Sequence, residues 1–497
     1  MQAERDARLA PIYRTAELKT IEARHAADGL MERAGAASAA VAGGMLAERH
    51  GPVVVLAGPG NNGGDGFVVA RLLRAAFHDV IVVFAADAAS LPDDARRAHG
   101  AYAKAGGATQ HDLPNVKPAL IVDALFGIGL RAPLSANYAA WVHWANASDA
   151  AVLSLDVPTG LDADTGMTNG PVVHADATAS FLGWKPGLLT GAGPDRCGDV
   201  SIHRLDVDAE AVVAPRGRRL DWTSLASTLS DTIRRRVRAV HKGTFGTVGI
   251  VGGADGMVGA ALMAGRAALR CGAGKVRVGM LADRAPVVAP MVPELMFGNA
   301  QHLLEQPLDA LVVGCGLGTS DAARRLVKRA LDTQAACILD ADALNLVARD
   351  EALQGIVATR EAITIATPHP AEAARLARTT VEAIERDRVK AALDLARQLR
   401  AHAVLKGGGT VIAHPNGRFD INASGNPALA FAGSGDVLAG MLGALVAQRS
   451  DGETAARIGV CLHGAAADAL VARGVGPIGV SSIELIDAAR SLLNEAR

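Results

Sequence analysis

Residues 53–66 read Val53-Val54-Val55-Leu56-Ala57-Gly58-Pro59-Gly60-Asn61-Asn62-Gly63-Gly64-Asp65-Gly66. Five apolar, mostly β-branched residues make a short strand buried on both faces. The glycine-rich run after them reads as a loop, followed by a helical pattern over 67–77. Gly58, Gly60 and Gly63 have G-x-G-x-x-G spacing. Asp87 follows the next apolar run, 80–85, where a ribose-binding acid would stand. Missing side chains let backbone N–H groups approach a pyrophosphate at a helix N-terminus. A tight strand–helix turn with positive φ also selects glycine. Two amides and a carboxylate, Asn61, Asn62 and Asp65, are more polar than a dinucleotide turn needs. They suggest a site able to hold a cation.

Outward from this stretch, helical patterns fit 15–50 and 93–105, and further strands fit 119–123 and 151–156. Strands alternating with helices imply parallel pairing and an α/β sandwich. In such sheets ligands bind beyond the carboxyl ends of the strands. Two of these strands end on a carboxylate. Asp123 precedes Ala124-Leu125-Phe126-Gly127-Ile128-Gly129-Leu130-Arg131, and Asp156 precedes Val157-Pro158-Thr159-Gly160-Leu161-Asp162. A carboxylate at the edge of low dielectric has a tunable pKa, although a helix cap uses the same residue.

The pattern breaks over 205–240. Acidic Asp206, Asp208 and Glu210 give way to Pro215, Arg216, Arg218, Arg219 and then Arg234-Arg235-Arg236. We read this as a boundary between domains at 1–215 and 225–497, with the basic runs as a solvated linker. A second α/β pattern then begins, with strands at 247–251, 275–278, 310–313, 336–339, 363–366 and 403–405. One amphipathic helix fits 381–400.

The chemistry of this half gathers in four segments. Gly433-Ser434-Gly435 would expose backbone N–H groups at a helix start, an anion hole. Asp436, next in line, would accept a hydroxyl proton during phosphoryl transfer, or cap the helix. Lys406-Gly407-Gly408-Gly409-Thr410 would let backbone approach a nucleotide while turning a hairpin; the Lys precedes the glycines, so this is no P-loop. His369 sits between Pro368 and Pro370 in a rigid segment, as a ligand contact or a structural residue. Cys315, in Gly314-Cys315-Gly316-Leu317-Gly318-Thr319, reads as a small buried residue rather than a nucleophile.

Composition narrows the class. Basic and acidic residues number 50 and 51, for a net charge of −1, which excludes a chain-wide basic field for nucleic acid. Aromatics are 3%, too few for a base-stacking platform. Only nine of the 50 basic residues are Lys, so a Lys among glycines carries weight. Five scattered Cys without a CxxC pair fit a reducing compartment. Residues 1–14 lack the apolar core of a secretory signal, and no uninterrupted apolar run is long enough to span a bilayer. The expectation is a cytoplasmic protein without nucleic-acid or membrane partners, assembled as a homo-oligomer.

Three motifs of the first half, GPGNNGGDG, VDALFGIGL and LDVPTGLDADTG, together resemble the NAD(P)H-hydrate epimerase family over roughly residues 12–210. The resemblance implies a Rossmann-like domain that interconverts the R and S epimers of NADH or NADPH hydrated on the nicotinamide ring. By position, Asn61, Asn62, Gly63, Gly64 and Asp65, with Gly127, Ile128, Gly129, Leu130, Arg131, Ala132 and Pro133, would surround the substrate. Asp156 would be the substrate-contacting acid/base. Asn62, Asp123 and Thr159 would bind a potassium ion (K+).

In the second half, HKGTFG at 241–246, ILDADALNL at 338–346, TPHPAE, LKGGGT and AGSGDVLAG resemble the ADP- or ATP-dependent NAD(P)H-hydrate dehydratase family. The resemblance implies a ribokinase-like fold, ADP or ATP as co-substrate, with ADP favoured, and Mg2+. It also implies phosphorylation of the ring hydroxyl of the S hydrate followed by phosphate elimination. Ala260, Gly318, His369 and Asp436 would contact the hydrate, with Asp436 the base. Lys406, Gly407, Gly408, Gly409, Thr410 and Gly435 would contact the nucleotide. The chain departs from the family's usual Pro at Cys315, Gly at Ala371 and Gly-Thr near 432–434, without losing an expected catalytic group. The competing readings are a ribokinase-like vitamin-precursor kinase fused to a non-catalytic nucleotide sensor, and a dehydrogenase resting on Asp87 and the glycine spacing.

Overall fold

The computed structural model describes residues 9–130, 133–227, 229, 240–284 and 286–496. They form two compact units, Ala10–Arg216, and Gly217–Arg497 together with Leu9. Both are α/β, as expected. The strand Gly217–Leu220 lies in the stretch read from sequence as a strand-poor boundary. It pairs in parallel with Phe419–Asn422, so charge density at Arg218 and Arg219 hid a sheet strand.

The first unit is built on a parallel sheet of seven strands: Val53–Ala57, Val80–Phe84, Thr109–Gln110, Leu120–Ala124, Ala151–Leu155, Ala177–Phe181 and Asp199–His203. Numbered in that chain order, they lie 3-2-1-4-5-6-7 across the sheet. The order reverses between the first and fourth strands, which opens a crevice beyond their carboxyl ends. All five residues of Val53–Ala57 are buried, as strands covered on both faces require.

One expectation changes here. The helix after the first strand runs Asn61–Ala75, so Asn61 to Gly66 form its opening turns and not a loop. None of Gly58, Gly60, Gly63, Gly64 or Gly66 has positive φ. At Gly58, Gly63, Gly64 and Gly66 the cause is close packing. A Cβ on Gly63 would lie 2.0 Å from the Gly58 carbonyl, and one on Gly58 would lie 1.8 Å from that of Leu125.

The second unit repeats the order. Its parallel strands Thr247–Gly252, Lys275–Met280, Met296–Asn299, Ala310–Val313, Ala336–Leu339, Thr364–Ala366 and His402–Leu405 lie 3-2-1-4-5-6-7 in chain numbering. Beyond the last, Val411–Ala413 pairs antiparallel with His402–Leu405 and with Phe419–Asn422. The expected helix over 381–400 is two helices, Val381–Arg386 and Arg388–Leu399. Asp387 breaks it, because its carboxylate accepts the Lys390 N–H at 2.8 Å and caps the second helix.

The core of this unit gathers around Val258–Arg270, Ser434–Ala447 and Gly452–Ala472. Gly440 lets the first two helices touch, since a Cβ there would lie 2.1 Å from the Ala264 carbonyl. Gly452–Ala472 has 21 residues, and its most apolar 18-residue window has a mean hydropathy of 1.3, long and apolar enough to span by those measures although charged residues interrupt it. Its most apolar window is 78% buried inside the protein, and buried Arg457 and His463 lie on it. It serves as a core helix.

Candidate active sites

At the switch point of the first unit lies a cavity of about 650 Å³. Asn61, Asn62, Asp65, Gly127, Ile128, Gly129, Leu130 and Asp156 line it. Gly63 and Gly64 do not: Gly63 packs on Gly58, and a Cβ on Gly64 would meet Met31 and Ala95. Pro133 is exposed and off the lining, and Arg131 and Ala132 lie outside the described residues.

Asp123 is fully buried and off the cavity lining. Its carboxylate accepts from Ser154 Oγ (2.8 Å), Thr159 N (2.8 Å) and Thr159 Oγ1 (2.7 Å). Burial pushes this carboxyl up, and the Thr159 and Ser154 donors pull it part of the way back. Thr159 Oγ1 also lies 3.2 Å from the Phe126 carbonyl. Among the described residues, the side-chain oxygen and nitrogen of Asn62 are both buried without a hydrogen-bond partner. A buried amide left so is costly unless a ligand or ion completes it.

Asp156 has φ +65°, in the left-handed region that a non-glycine residue enters only under constraint. Its N–H donates to the Ala179 carbonyl at 2.7 Å, and its Oδ2 accepts the Ile128 N–H at 3.1 Å. Its Oδ1 lies 2.6 Å from Lys185 Nζ. Two more carboxyls face the same space. Burial first, then the charges of Asp156 and Glu22, hold Asp65 well above the usual carboxylate range. Glu22, at the mouth, is pushed up to about 7 by desolvation and by Asp156, against the pull of Lys185 and Lys19. The cavity therefore places two carboxyls of raised pKa beside a lysine-paired carboxylate, the two kinds of partner that acid–base chemistry at one carbon needs.

Sequence reasoning missed Lys185 and Glu22. Lys185 carried a usable signal: a scarce lysine set among glycine and proline in Gly183-Trp184-Lys185-Pro186-Gly187. Asp87, the acid of the dehydrogenase reading, instead caps a short turn by accepting the Ala89 N–H at 2.9 Å.

In the second unit Asp436 lies in the first turn of Ser434–Ala447, after Gly433 at φ +104°. One oxygen or sulfur each of Cys315, Asp340 and Asp436 lies within 4.8 Å of the others. The Cys315 thiol lies beside the Asp436 carboxylate and favours its ionised form. Burial and the Asp340 charge push Asp436 up to about 6. Asp340 Oδ1 lies 2.7 Å from Lys406 Nζ and accepts from Thr367 Oγ1 at 2.7 Å. Burial pulls the Lys406 ammonium down, but Asp340 and Glu372 outweigh it and hold it above its ordinary value. A Cβ on Gly435 would lie 3.3 Å from Lys406 Nζ, which puts the helix-start backbone, the lysine and the carboxylates in one place.

Gly318, at φ +74°, donates its N–H to Asp342 Oδ2 at 2.7 Å. A Cβ on nearby Gly316 would lie 3.1 Å from that of Ala260. The Gly407–Thr410 segment is the hairpin turn into Val411–Ala413, with Gly407 at φ +142° and Gly409 at +63°. Gly408 faces open space. His369 caps Pro370–Leu376: its Nδ1 accepts the Ala371 N–H at 3.1 Å. Burial and the Lys406 charge hold the imidazole below its ordinary pKa, and Nε2 stands 3.3 Å from Glu372 Oε1. Asp340, Asp342 and Glu372 had not been assigned roles. Asp340 obeys the rule that flagged Asp123, a carboxylate closing an apolar strand.

Residues 27–187 match the family model described as YjeF-related protein N-terminus, and 248–489 match NAD(P)H-hydrate dehydratase. The bifunctional NAD(P)H-hydrate repair enzyme of Escherichia coli (strain K12) is 39% identical over 453 residues, 89% of this chain and 85% of the relative. That of Coxiella burnetii is 37% identical over 458 residues, 89% of this chain and 90% of the relative. The ADP/ATP-dependent NAD(P)H-hydrate dehydratase of Bacillus subtilis, co-crystallised with ATP and Mg2+, is a similar solved structure. It is 31% identical with a TM-score of 0.50, covering 56% of this chain and 97% of its own. The chain belongs to the family of bifunctional NAD(P)H-hydrate repair enzymes. Its first unit carries the epimerase domain and its second the dehydratase domain. The relatives favour this over the kinase-and-sensor reading.

Proposed function

We propose that the first unit exchanges the R and S hydrates of NADH and NADPH through Asp156. The observation that carries this is Asp156 itself, a strained, lysine-paired carboxylate facing a cavity that also holds the raised carboxyls of Asp65 and Glu22. At the hydrated carbon the hydroxyl takes a proton and leaves as water, while the ring-nitrogen lone pair forms a C=N bond. Water then adds to the opposite face, losing a proton to a carboxylate as the π pair returns to nitrogen. Among the described residues the buried Asn62 amide is unpartnered, and with the oxygens of Asp123 and Thr159 it would suit a potassium ion held through oxygen, which would fix the loops and offset substrate phosphate charge. R–S exchange measured without nucleotide tests the assignment: Asp156→Ala abolishes it.

The second unit uses ADP, or ATP, to phosphorylate the ring hydroxyl of the S hydrate, with Asp436 accepting the hydroxyl proton. Elimination of phosphate, a far better leaving group than hydroxide, restores the double bond. The N–H groups that open Ser434–Ala447 and the Lys406 ammonium suit the transferring phosphates. Asp340 and Asp342 offer the carboxylate oxygens that magnesium takes, and the ion would shield the transferring charge.

A further inference from the structure

We propose that Lys185 is the positioning residue of the epimerase site. Its ammonium occupies Asp156 Oδ1 and leaves Oδ2 as the one oxygen that exchanges a proton with substrate. This rests on the reading of Asp156 as the acid/base.

Lys185 is fully buried, at 1% exposure. Three acceptors surround its Nζ: Asp156 Oδ1 at 2.6 Å, Ser180 Oγ at 2.7 Å and the Phe181 carbonyl at 2.9 Å. An ammonium has three N–H bonds and no lone pair, so this set uses all of them. Lys185 is thereby excluded as base or nucleophile. Two of the acceptors belong to the strand Ala177–Phe181, which ties the ammonium to the sheet. Asp156 is thus held from both sides, by Lys185 at Oδ1 and by its own N–H on Ala179 of the same strand. That double hold keeps a non-glycine residue at φ +65°.

The other oxygen faces the cavity. Oδ2 accepts the Ile128 N–H, and a Cβ on Gly127 would stand 2.7 Å from Oδ2 and 3.3 Å from Asn62 Oδ1. Gly127 therefore keeps the approach to Oδ2 open. When water adds to the C=N carbon, its proton passes to Oδ2 as the C–O bond forms. In the reverse step Oδ2 returns that proton to the departing hydroxyl. Among the described residues, the other charged groups facing the cavity are Lys19 and Glu22 from Thr15–Arg24, Asp65 from Asn61–Ala75 and Asp94 from Asp93–Lys104.

The test is R–S exchange kinetics in the full chain without nucleotide, for wild type, K185M, K185Q and K185R. Without the ammonium Asp156 loses the contact that orients its free oxygen, so turnover falls while substrate binding holds. We expect K185M and K185Q to lose kcat by about 100-fold or more with KM changed by less than about threefold. K185R, which keeps the charge and the donors, restores part of kcat. Exchange lost in D156N but unchanged in K185M and K185Q overturns the role of Lys185 alone. No exchange in wild type overturns the Asp156 reading with it. Should K185M not fold, K185Q and K185R carry the same comparison.

Discussion

Lys406 Nζ lies 2.7 Å from Asp340 Oδ1, and Asp340 also holds the Thr367 hydroxyl. The carboxylate is buried and the lysine about a fifth exposed, so the pair is neither a surface bridge nor a sealed one. Removing the lysine strands a buried carboxylate. K406M should destabilise the second unit by about 2–3 kcal/mol, less than a fully buried pair would cost, and should suppress dehydration. Urea unfolding and the dehydration rate check both parts. An unchanged midpoint would show that Asp340 does not depend on its partner.

Asp436 sets a pH limit on the second site. A base must be ionised to accept a proton, and burial with the Asp340 charge places this group at about 6. Dehydration should therefore rise with pH through about 6 and fall away below it. D436N should abolish dehydration at every pH. A rate independent of pH between 5 and 7, roughly the span around that value, would rule Asp436 out as the base.

Asn62 separates stability from function. Its amide has no partner among the described residues, so replacing it with an apolar residue of similar size removes a buried unsatisfied group. N62L should leave stability within about 1 kcal/mol of wild type or raise it. Epimer exchange should fall and lose any dependence on potassium over sodium. A large loss of stability with exchange intact would mean the amide serves the fold.

The glycines divide by what surrounds them. G440A drives a Cβ into the Ala264 carbonyl, and should cost about 1–3 kcal/mol or more by prising two core helices apart. G408A meets open space and should leave stability within about 0.5 kcal/mol, while raising the nucleotide KM if backbone approach matters there. Thermal unfolding of both, with nucleotide kinetics of G408A, checks the contrast.

Much of this was legible in sequence because burial on both faces writes parallel strands as short apolar runs, as in 53–57 and 310–313. Strand-end carboxylates stood out for the same reason, and the structure buries Asp123 off the cavity lining and puts Asp156 on the cavity wall. What stayed hidden depended on distance along the chain. Lys185 meets Asp156 from 29 residues away, and Lys406 meets Asp340 from 66. The strands Ala177–Phe181 and Asp199–His203 are too polar to read as apolar runs. The glycines of 58–66 suggested a loop because composition cannot distinguish a turn from a helix packed against backbone. Asp387 divided a helix whose amphipathic pattern ran straight through it.

One chain carries two successive activities, and mixed R and S hydrates separate them in a single assay. With ADP or ATP and Mg2+, wild type should return both epimers to reduced nicotinamide, followed by absorbance. D156A should recover only the S portion on the same time scale, and D436N neither. Failure of wild type to restore absorbance with either nucleotide, or full recovery of both epimers by D156A at the wild-type rate, would contradict it.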